Sequence, residues 1–351
     1  MAAGRVDAWV FSLLTSNFSL RLLWESSLAD VAAIILAAGK STRMRSDLPK
    51  VLHEVCGRPM LGFVVSVCRL TGVDRIVVVV GHGKDKVVDR FAAERDVSFV
   101  EQVEQHGTGH AVMCCREALA GFQGSVLVVA GDMPLVRRET LSDLVEIREQ
   151  RGDAATIATT ELDDPTGYGR IVRNGDGDLE AIVEHRDCTP EQLAIREVNV
   201  SYYCFDAARL WSGLNRLTPN PPKNELYLTD LVRIFGEEKS GVSAVVRVAP
   251  EDSMGINSRL DLAAVGRAMQ DRLQRVLLNE GVTIVDPDNT WVEADVSVGA
   301  DTVILPFSFI GLGATIGEGC RVGPYAYVRA GENWDDGSVI GPSKGMEVGV
   351  S

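Results

Sequence analysis

No apolar stretch in this 351-residue chain approaches the roughly 20 residues that cross a bilayer, so no membrane-spanning helix is expected. Cysteine is sparse. There are seven, an odd number, scattered and without a CxxC pair, and the adjacent Cys114 and Cys115 cannot easily bridge one another. That pattern excludes a zinc ribbon and a disulfide framework and points to a reduced, cytoplasmic protein. Positive charge is also short: 35 Lys and Arg stand against 49 Asp and Glu, for a net charge of -14 and a pI near 4.9. A chain of that sign lacks the broad basic surface that nucleic acid or an anionic membrane requires, so its local cationic clusters must serve small anions. The phosphate-binding spacings GxxxxGK[ST] and GxGxxG are both missing.

What is present suggests two domains, since 46% apolar residues over this length exceed one ordinary core. Residues 1–28 break their apolar character with Asp7, Asn17, Arg21 and Glu25 and are expected to be a poorly ordered extension rather than a signal peptide. From Val31 onward, short β-branched runs ("VAAIIL", "RIVVVVG", "VSFV", "SVLVVAGD") alternate with helical segments beginning at "PMLGFVVSVCRL", "KDKVVDRFA" and "TGHAVMCCREAL". Continuous apolar runs separated by helices predict strands buried on both faces, hence an α/β domain with a mostly parallel sheet over 29–255. Such sheets bind ligands at the carboxyl ends of their strands.

Residues 256–282 read as one linker helix. Ser258 and Asp261 form a capping-box pattern, Leu262, Val265, Met269, Leu273 and Val276 recur at steps of three or four, and Gly281 is placed to stop the helix. The period then becomes six: Val292, Val298, Ile304, Ile310, Ile316, Val322 and Val328. Small residues stand two positions earlier at Thr302, Ser308, Ala314, Cys320 and Ala326, and glycine follows at 299, 311, 317 and 323. Only a β-solenoid repeats so briefly. The solenoid is expected over 283–345; at three hexapeptides per coil, about two coils are expected before "ENWDDGSVIG", which is only weakly in register.

The densest cationic cluster, Lys40, Arg43, Arg45 and Lys50, follows the first strand in "LAAGKSTRMRSDLPK". A Gly-containing turn there exposes N–H groups to phosphate, one long cation can grip the outer phosphates of a nucleotide, and another can reach the reacting phosphorus. In "QVEQHGTGHA", Gln102 and Gln105 carry amides able to read a base edge. Asp132, at the end of "VVAGDMPL", is costly there without a partner, and a divalent cation bridging phosphates is the usual one.

In their order, "LAAGKSTRMRSDLPKVLHEVCGRPML", "EQHGTGHA", "AGDMPL", "DDPTGYGRIV", "IVEHRD", "YLTD" and "MGIN" resemble bacterial N-acetylglucosamine-1-phosphate uridylyltransferases, the N-terminal half of a bifunctional family, over about residues 30 to 345. The resemblance implies a Rossmann-like, GT-A-like nucleotidyltransferase domain, a linker helix and a left-handed parallel β-helix of hexapeptide repeats. It implies Mg²⁺ as cofactor, UTP and N-acetylglucosamine 1-phosphate as substrates, and a place in making a peptidoglycan precursor for the cell wall. Leu36, Ala37, Ala38, Gly39, Gln102, Gly107 and Thr108 would hold the nucleotide. Arg43 would grip the outgoing pyrophosphate and Lys50 would face the α-phosphate. Asp132 and Asn257 would bind the metal, while Gly169, Glu184, Asn199 and Asn257 would line the sugar site.

This sequence departs from the family at Ser41, where Gly is common, and at "NVS" (199–201), which replaces Asn-Thr-Gly. The family's acetyltransferase site lies in later coils, so that activity is expected to be absent and Arg329, which matches one of its sugar-phosphate ligands, to lack its partners. A homotrimer weakened by the short solenoid is expected. The alternatives are a related sugar-1-phosphate nucleotidyltransferase using another sugar or base, and a catalytically silent regulatory homologue.

Overall fold

The computed structural model describes residues 30–40, 42–221 and 224–342. The expected extension over 1–28, the departure at Ser41 and the last residues of the expected solenoid lie outside the described residues. Two compact units are formed, one by 30–53 and 60–261 and the other by 54–59 and 262–342. The short hairpin within 54–59 thus packs with the second unit although the expected boundaries enclose it in the first.

The first unit is built on β1 (Val31–Leu36), followed after the hairpin strands β2 (Glu54–Val55) and β3 (Arg58–Pro59) by β4 (Arg75–Val80), β5 (Val97–Glu101) and β6 (Ser125–Ala130). Next come β7 (Ala155–Glu161), β8 (Arg170–Arg173), β9 (Leu179–Val183), β10 (Glu197–Asp206) and β11 (Val242–Val246). Consecutive residues of β1, β4 and β6 are buried, as predicted for strands covered on both faces. The sheet runs β11-β7-β10-β6-β1-β4-β5, with β8 and β9 attached beside β10. β4, β1 and β6 are mutually parallel, whereas β10 runs antiparallel to both β6 and β7. The chain steps from β1 to β4 on one side and returns to β6 on the other, which makes the crevice beyond Leu36 and Ala130 the topological switch point where such sheets take ligands. In β10 the register against β7 shifts between Asn199 and Tyr203, and Ser201 within this bulge has φ +60°. Residues other than glycine held in that region cost of order 1–3 kcal/mol and concentrate at functional sites.

The helix Arg259–Asn279 starts as predicted: Asp261 Oδ2 accepts the Ser258 N–H at 2.8 Å while Ser258 Oγ accepts the Asp261 N–H at 3.3 Å. Gly281, with φ +91°, ends it; its N–H bonds Leu278 O and the Val282 N–H bonds Leu277 O, and Leu277 and Val282 both join the solenoid core. Among the described residues no helix is long and apolar enough to cross a membrane.

The solenoid is longer than expected. Three complete coils, β12 (Thr283–Ile284) to β14 (Ser297–Val298), β15 (Val303–Ile304) to β17 (Thr315–Ile316) and β18 (Arg321–Val322) to β20 (Asn333–Trp334), are followed by β21 (Val339–Ile340), which opens a fourth. Strands β13 (Trp291–Val292), β16 (Phe309–Ile310) and β19 (Tyr327–Val328) form the middle face. The expectation of about two coils failed because Trp334 holds the stacking position above Ile316 with an aromatic instead of a β-branched residue, while Ile340 resumes the register above Val322.

The inward residues Val292, Ile304, Ile310, Val322 and Val328 are all fully buried. The small polar residues among them are satisfied by backbone: Thr302 Oγ1 donates to Gly317 O and accepts from the Cys320 N–H, both at 2.9 Å. A Cβ at Gly299 would meet Glu318 N at 2.6 Å, so the stacking distance between coils leaves no room for a side chain. Ile310→Ala is expected to destabilise this unit by about 2–5 kcal/mol, the usual cost of an aliphatic cavity in a close-packed core. A urea titration of the solenoid's near-ultraviolet signal checks it, and an unmoved midpoint would show that the stacked column is not what holds the coils.

Candidate active site

Beyond the carboxyl ends of β1 and β6 lies a cavity of about 1000 Å³ lined entirely from the first unit. One wall is the turn after β1. The Ala37 N–H is tied to Val79 O, Ala38 O accepts from Gln105 Nε2 at 2.6 Å, and nothing within 4 Å stands over the space a Cβ on Gly39 would take. The turn is therefore anchored at its base and open at its tip, where backbone N–H groups can approach an anion.

Gln102 is buried and donates from Nε2 to Gly107 O at 3.0 Å. Because that carbonyl can only accept, the Gln102 amide is fixed with its oxygen left over, an acceptor suited to a ring N–H. Gln105 lines the same cavity and donates from Nε2 to Ala38 O, so its amide too is fixed with its oxygen left over. Gly107 has φ +96° and ψ 179°, a conformation essentially restricted to glycine, and a Cβ there would lie 2.5 Å from Leu226 O. Thr108 Oγ1 accepts the Leu228 N–H at 3.0 Å and the Gly109 N–H bonds Leu226 O at 2.8 Å, which straps this turn to residues 226–228. Gly107→Ala is accordingly expected to raise the KM for the nucleotide at least tenfold and to lower stability by about 1–3 kcal/mol. Steady-state kinetics with a thermal melt on one sample reads both, and unchanged nucleotide KM would remove this turn from the site.

Of the four cations in the opening cluster, Arg43 and Lys50 line the cavity. Lys50 Nζ bonds Asp132 Oδ2 and lies 3.1 Å from Asn257 Oδ1, so the two residues assigned to a metal and the one assigned to phosphate meet at a single point. Asp132 arrives there from the end of β6. The Ile256 N–H bonds Asp132 O, and Asp261 Oδ2 takes the N–H groups of Asn257 and Ser258, so the cap of the following helix also sets the position of Asn257. Arg43 has no protein partner among the described residues. Two oxygens converging on one cation form a hard donor pair that fits a divalent ion completing its shell with phosphate oxygens and water.

At the other end the cavity is lined by Gly169, Glu184 and Asn199. The Asn199 N–H is tied to Gly169 O at 2.9 Å. Burial pushes the Glu184 carboxyl above the usual range, opposed by a hydrogen bond from Thr229 Oγ1 at 3.3 Å and by the charge of Arg186. Asn199 is buried; its Oδ1 accepts the Ser201 N–H at 3.1 Å and its Nδ2 donates to the Tyr203 hydroxyl at 2.6 Å. Tyr203, Ser201, Thr229 and Tyr168 all line the cavity, though no sequence argument singled them out as ligands. Tyr203 sits in "SYYCF", where a run of aromatics reads simply as core. Arg329, outside this unit, is exposed on the solenoid.

A family model for the MobA-like NTP transferase domain matches residues 33–209, about half of the chain. Among curated proteins, the "Bifunctional protein GlmU" of Trichlorobacter lovleyi is 46% identical over 291 residues, covering 83% of this chain and 63% of that protein. The GlmU of Geobacter metallireducens is 44% identical over 295 residues, covering 84% and 62%, and that of Clostridium acetobutylicum is 42% identical over 288 residues, covering 82% and 63%. The chain thus spans a little under two thirds of the length of these relatives. Among solved structures, apo UDP-glucose pyrophosphorylase superposes with a TM-score of 0.59 at 16% identity, over 70% of this chain and 99% of that one. The same enzyme complexed with UDP-glucose gives 0.57 at 18% identity, over 69% and 99%. At such identity the structural likeness speaks for the fold alone. A mostly parallel sheet with its cavity at the switch point and a sequence match over the same residues agree: the chain belongs to the family of MobA-like NTP transferase domains.

Proposed function

We propose that this site transfers a uridylyl group from UTP to N-acetylglucosamine 1-phosphate, giving UDP-N-acetylglucosamine and pyrophosphate. The observation that carries the reading is the placing of Arg43, Lys50, Asp132 and Asn257 at one end of a single cavity that has Glu184, Asn199 and Gly169 at the other. A phosphate-binding end and a hydroxyl- and amide-binding end joined by one cleft suit a sugar phosphate meeting a nucleoside triphosphate. The strong GlmU similarity supports the same substrates.

In this reading a sugar phosphate oxygen forms a bond to the α-phosphorus as the bond to the β-phosphate bridging oxygen breaks, and pyrophosphate leaves with that electron pair. The attacking group is already an anion, so the protein needs no general base, and its work is alignment and charge neutralisation. Lys50 faces the α-phosphate oxygens, Arg43 holds the departing phosphates, and the Gln102 carbonyl with the 37–39 turn holds the base and ribose. Asp132 and Asn257 would hold Mg²⁺, which when bound neutralises phosphate oxygens. Glu184 and Asn199 hold the sugar and its acetamido group. The test is a pyrophosphate-release panel of nucleoside triphosphates against sugar 1-phosphates. The largest kcat/KM is expected for UTP with N-acetylglucosamine 1-phosphate. A clear preference for another pair would replace the substrate assignment, and no release with any pair would favour a silent homologue.

A further inference from the structure

The bulge in β10 turns two hydroxyls, those of Ser201 and Tyr203, toward the sugar end of the cavity. Their hydrogens can be traced. The Ser201 backbone N–H can only donate, so the Asn199 atom it meets is the oxygen, and the amide nitrogen must be the atom 2.6 Å from the Tyr203 hydroxyl. Tyr203 therefore accepts from Asn199 and still has its own hydrogen to give. The Ser201 side chain lines the same cavity. Among the described residues no other protein acceptor takes the hydrogen of either hydroxyl, so an O–H remains for a ligand.

A buried donor left unmatched costs about 1–3 kcal/mol, so its aim into a ligand cavity points to an acceptor on the ligand. The same end of the cavity holds the Glu184 carboxylate, an acceptor when ionised, whose charge is felt at Tyr203. A secondary amide, with one C=O and one N–H set on opposite sides of a rigid plane, matches a donor and an acceptor placed together.

We propose that the Tyr203–Ser201 hydroxyl pair, oriented by the Asn199 amide, donates a hydrogen bond to the acyl carbonyl of an N-acylated sugar 1-phosphate and so determines preference for the acetamido group. The assignment rests on the nucleotidyl-transfer reading above. One of the two residues, Ser201, stands where the resembling family carries the Gly of Asn-Thr-Gly, and the contact gives its strained φ a purpose, since it lies in the bulge beside the cavity.

Two variants test it. Tyr203→Phe keeps the ring stacked on Phe205, 5.8 Å between centroids, and removes only the hydroxyl. Ser201→Gly keeps the N–H that orients Asn199, removes the other hydroxyl and relieves the positive φ. Tyr203→Phe is expected to raise the KM for N-acetylglucosamine 1-phosphate roughly tenfold, with kcat and the KM for UTP moving less than twofold. The preference for that sugar over glucose 1-phosphate should fall by a similar factor. Ser201→Gly should lower the same preference severalfold with undiminished thermal stability, which a purely structural role could not produce. Turnover by the unsubstituted protein with neither variant changing the preference overturns the contact alone. Loss of kcat, UTP affinity and stability together in Tyr203→Phe, with Ser201→Gly unaltered in preference, overturns it in favour of a structural tyrosine. No turnover of the acetylated sugar by the unsubstituted protein overturns the substrate reading and this contact with it.

Discussion

Asp132→Ala is expected to reduce kcat by at least 10²- to 10³-fold, about 2.7–4 kcal/mol, while the far-ultraviolet spectrum and melting temperature stay near those of the parent. The carboxylate stands just past the end of β6, at the edge of the sheet rather than inside it, and its side chain retains 21% exposure. Its removal opens no core cavity, and Lys50 keeps its bond to Asn257 Oδ1. What is lost is the carboxylate that Lys50 bonds beside Asn257. Metal titration adds a second readout, since the Mg²⁺ concentration for half-activation should rise steeply in the same variant. Near-normal kcat in Mg²⁺ would take Asp132 out of the metal site.

Lys50→Ala is expected to lower kcat by a comparable 10²- to 10³-fold with little change in KM for UTP, because charge on the α-phosphate oxygens is redistributed mainly in the transition state. Its partner pattern adds a sharper expectation. In the free protein the Lys50 ammonium sits between Asp132 and Asn257, the two oxygens assigned to the cation. Removing it should leave those oxygens free for a divalent ion, so the variant should bind Mn²⁺ more tightly in the absence of nucleotide, as read by electron paramagnetic resonance. Asp132→Ala should shift the same titration the other way. Arg43, which has no protein partner among the described residues, should affect kcat and KM together when replaced. A pure KM effect at Lys50, or weaker Mn²⁺ binding, would place its ammonium elsewhere during turnover.

The contrast between these two residues and the rest of the site marks how far the sequence could be read. Asp132 was legible because an acid closing a buried β-branched run is costly without a partner, and Lys50 because it closes a cationic cluster in an acidic chain. Neither observation reveals that they touch. Lys50 is 82 residues from Asp132 and 207 from Asn257, and only a sheet that sends β6 back beside β1 brings those three together. The Gln102 and Gln105 amides look equivalent on paper; the fold ties one to Gly107 O and the other to Ala38 O in the turn after β1.

The strands β1, β4, β5 and β6, the start and stop of the helix Arg259–Asn279 and the six-residue solenoid were determined by the sequence itself. Burial on both faces, end capping and coil stacking are periodic or local, and they write themselves into neighbouring residues. The extra coil escaped because Trp334 fills an inward position with an aromatic, and whether an aromatic fits depends on what stacks below it. The hairpin Glu54–Pro59 escaped for a similar reason: the Ala294 N–H reaches Cys56 O at 2.8 Å and Gln270 Nε2 lies 3.2 Å from its sulfur, contacts more than two hundred residues apart. The tertiary structure alone decided the role of Tyr203. Tyr202 and Tyr203 are neighbours, both buried and chemically identical, yet the Tyr202 hydroxyl goes to Asp252 O and the Tyr203 hydroxyl meets the Asn199 amide at the cavity wall. Alternation along a strand sends consecutive side chains to opposite faces, and which face borders a ligand is settled only when the sheet is assembled and the bulge at Asn199–Tyr203 has aimed the strand.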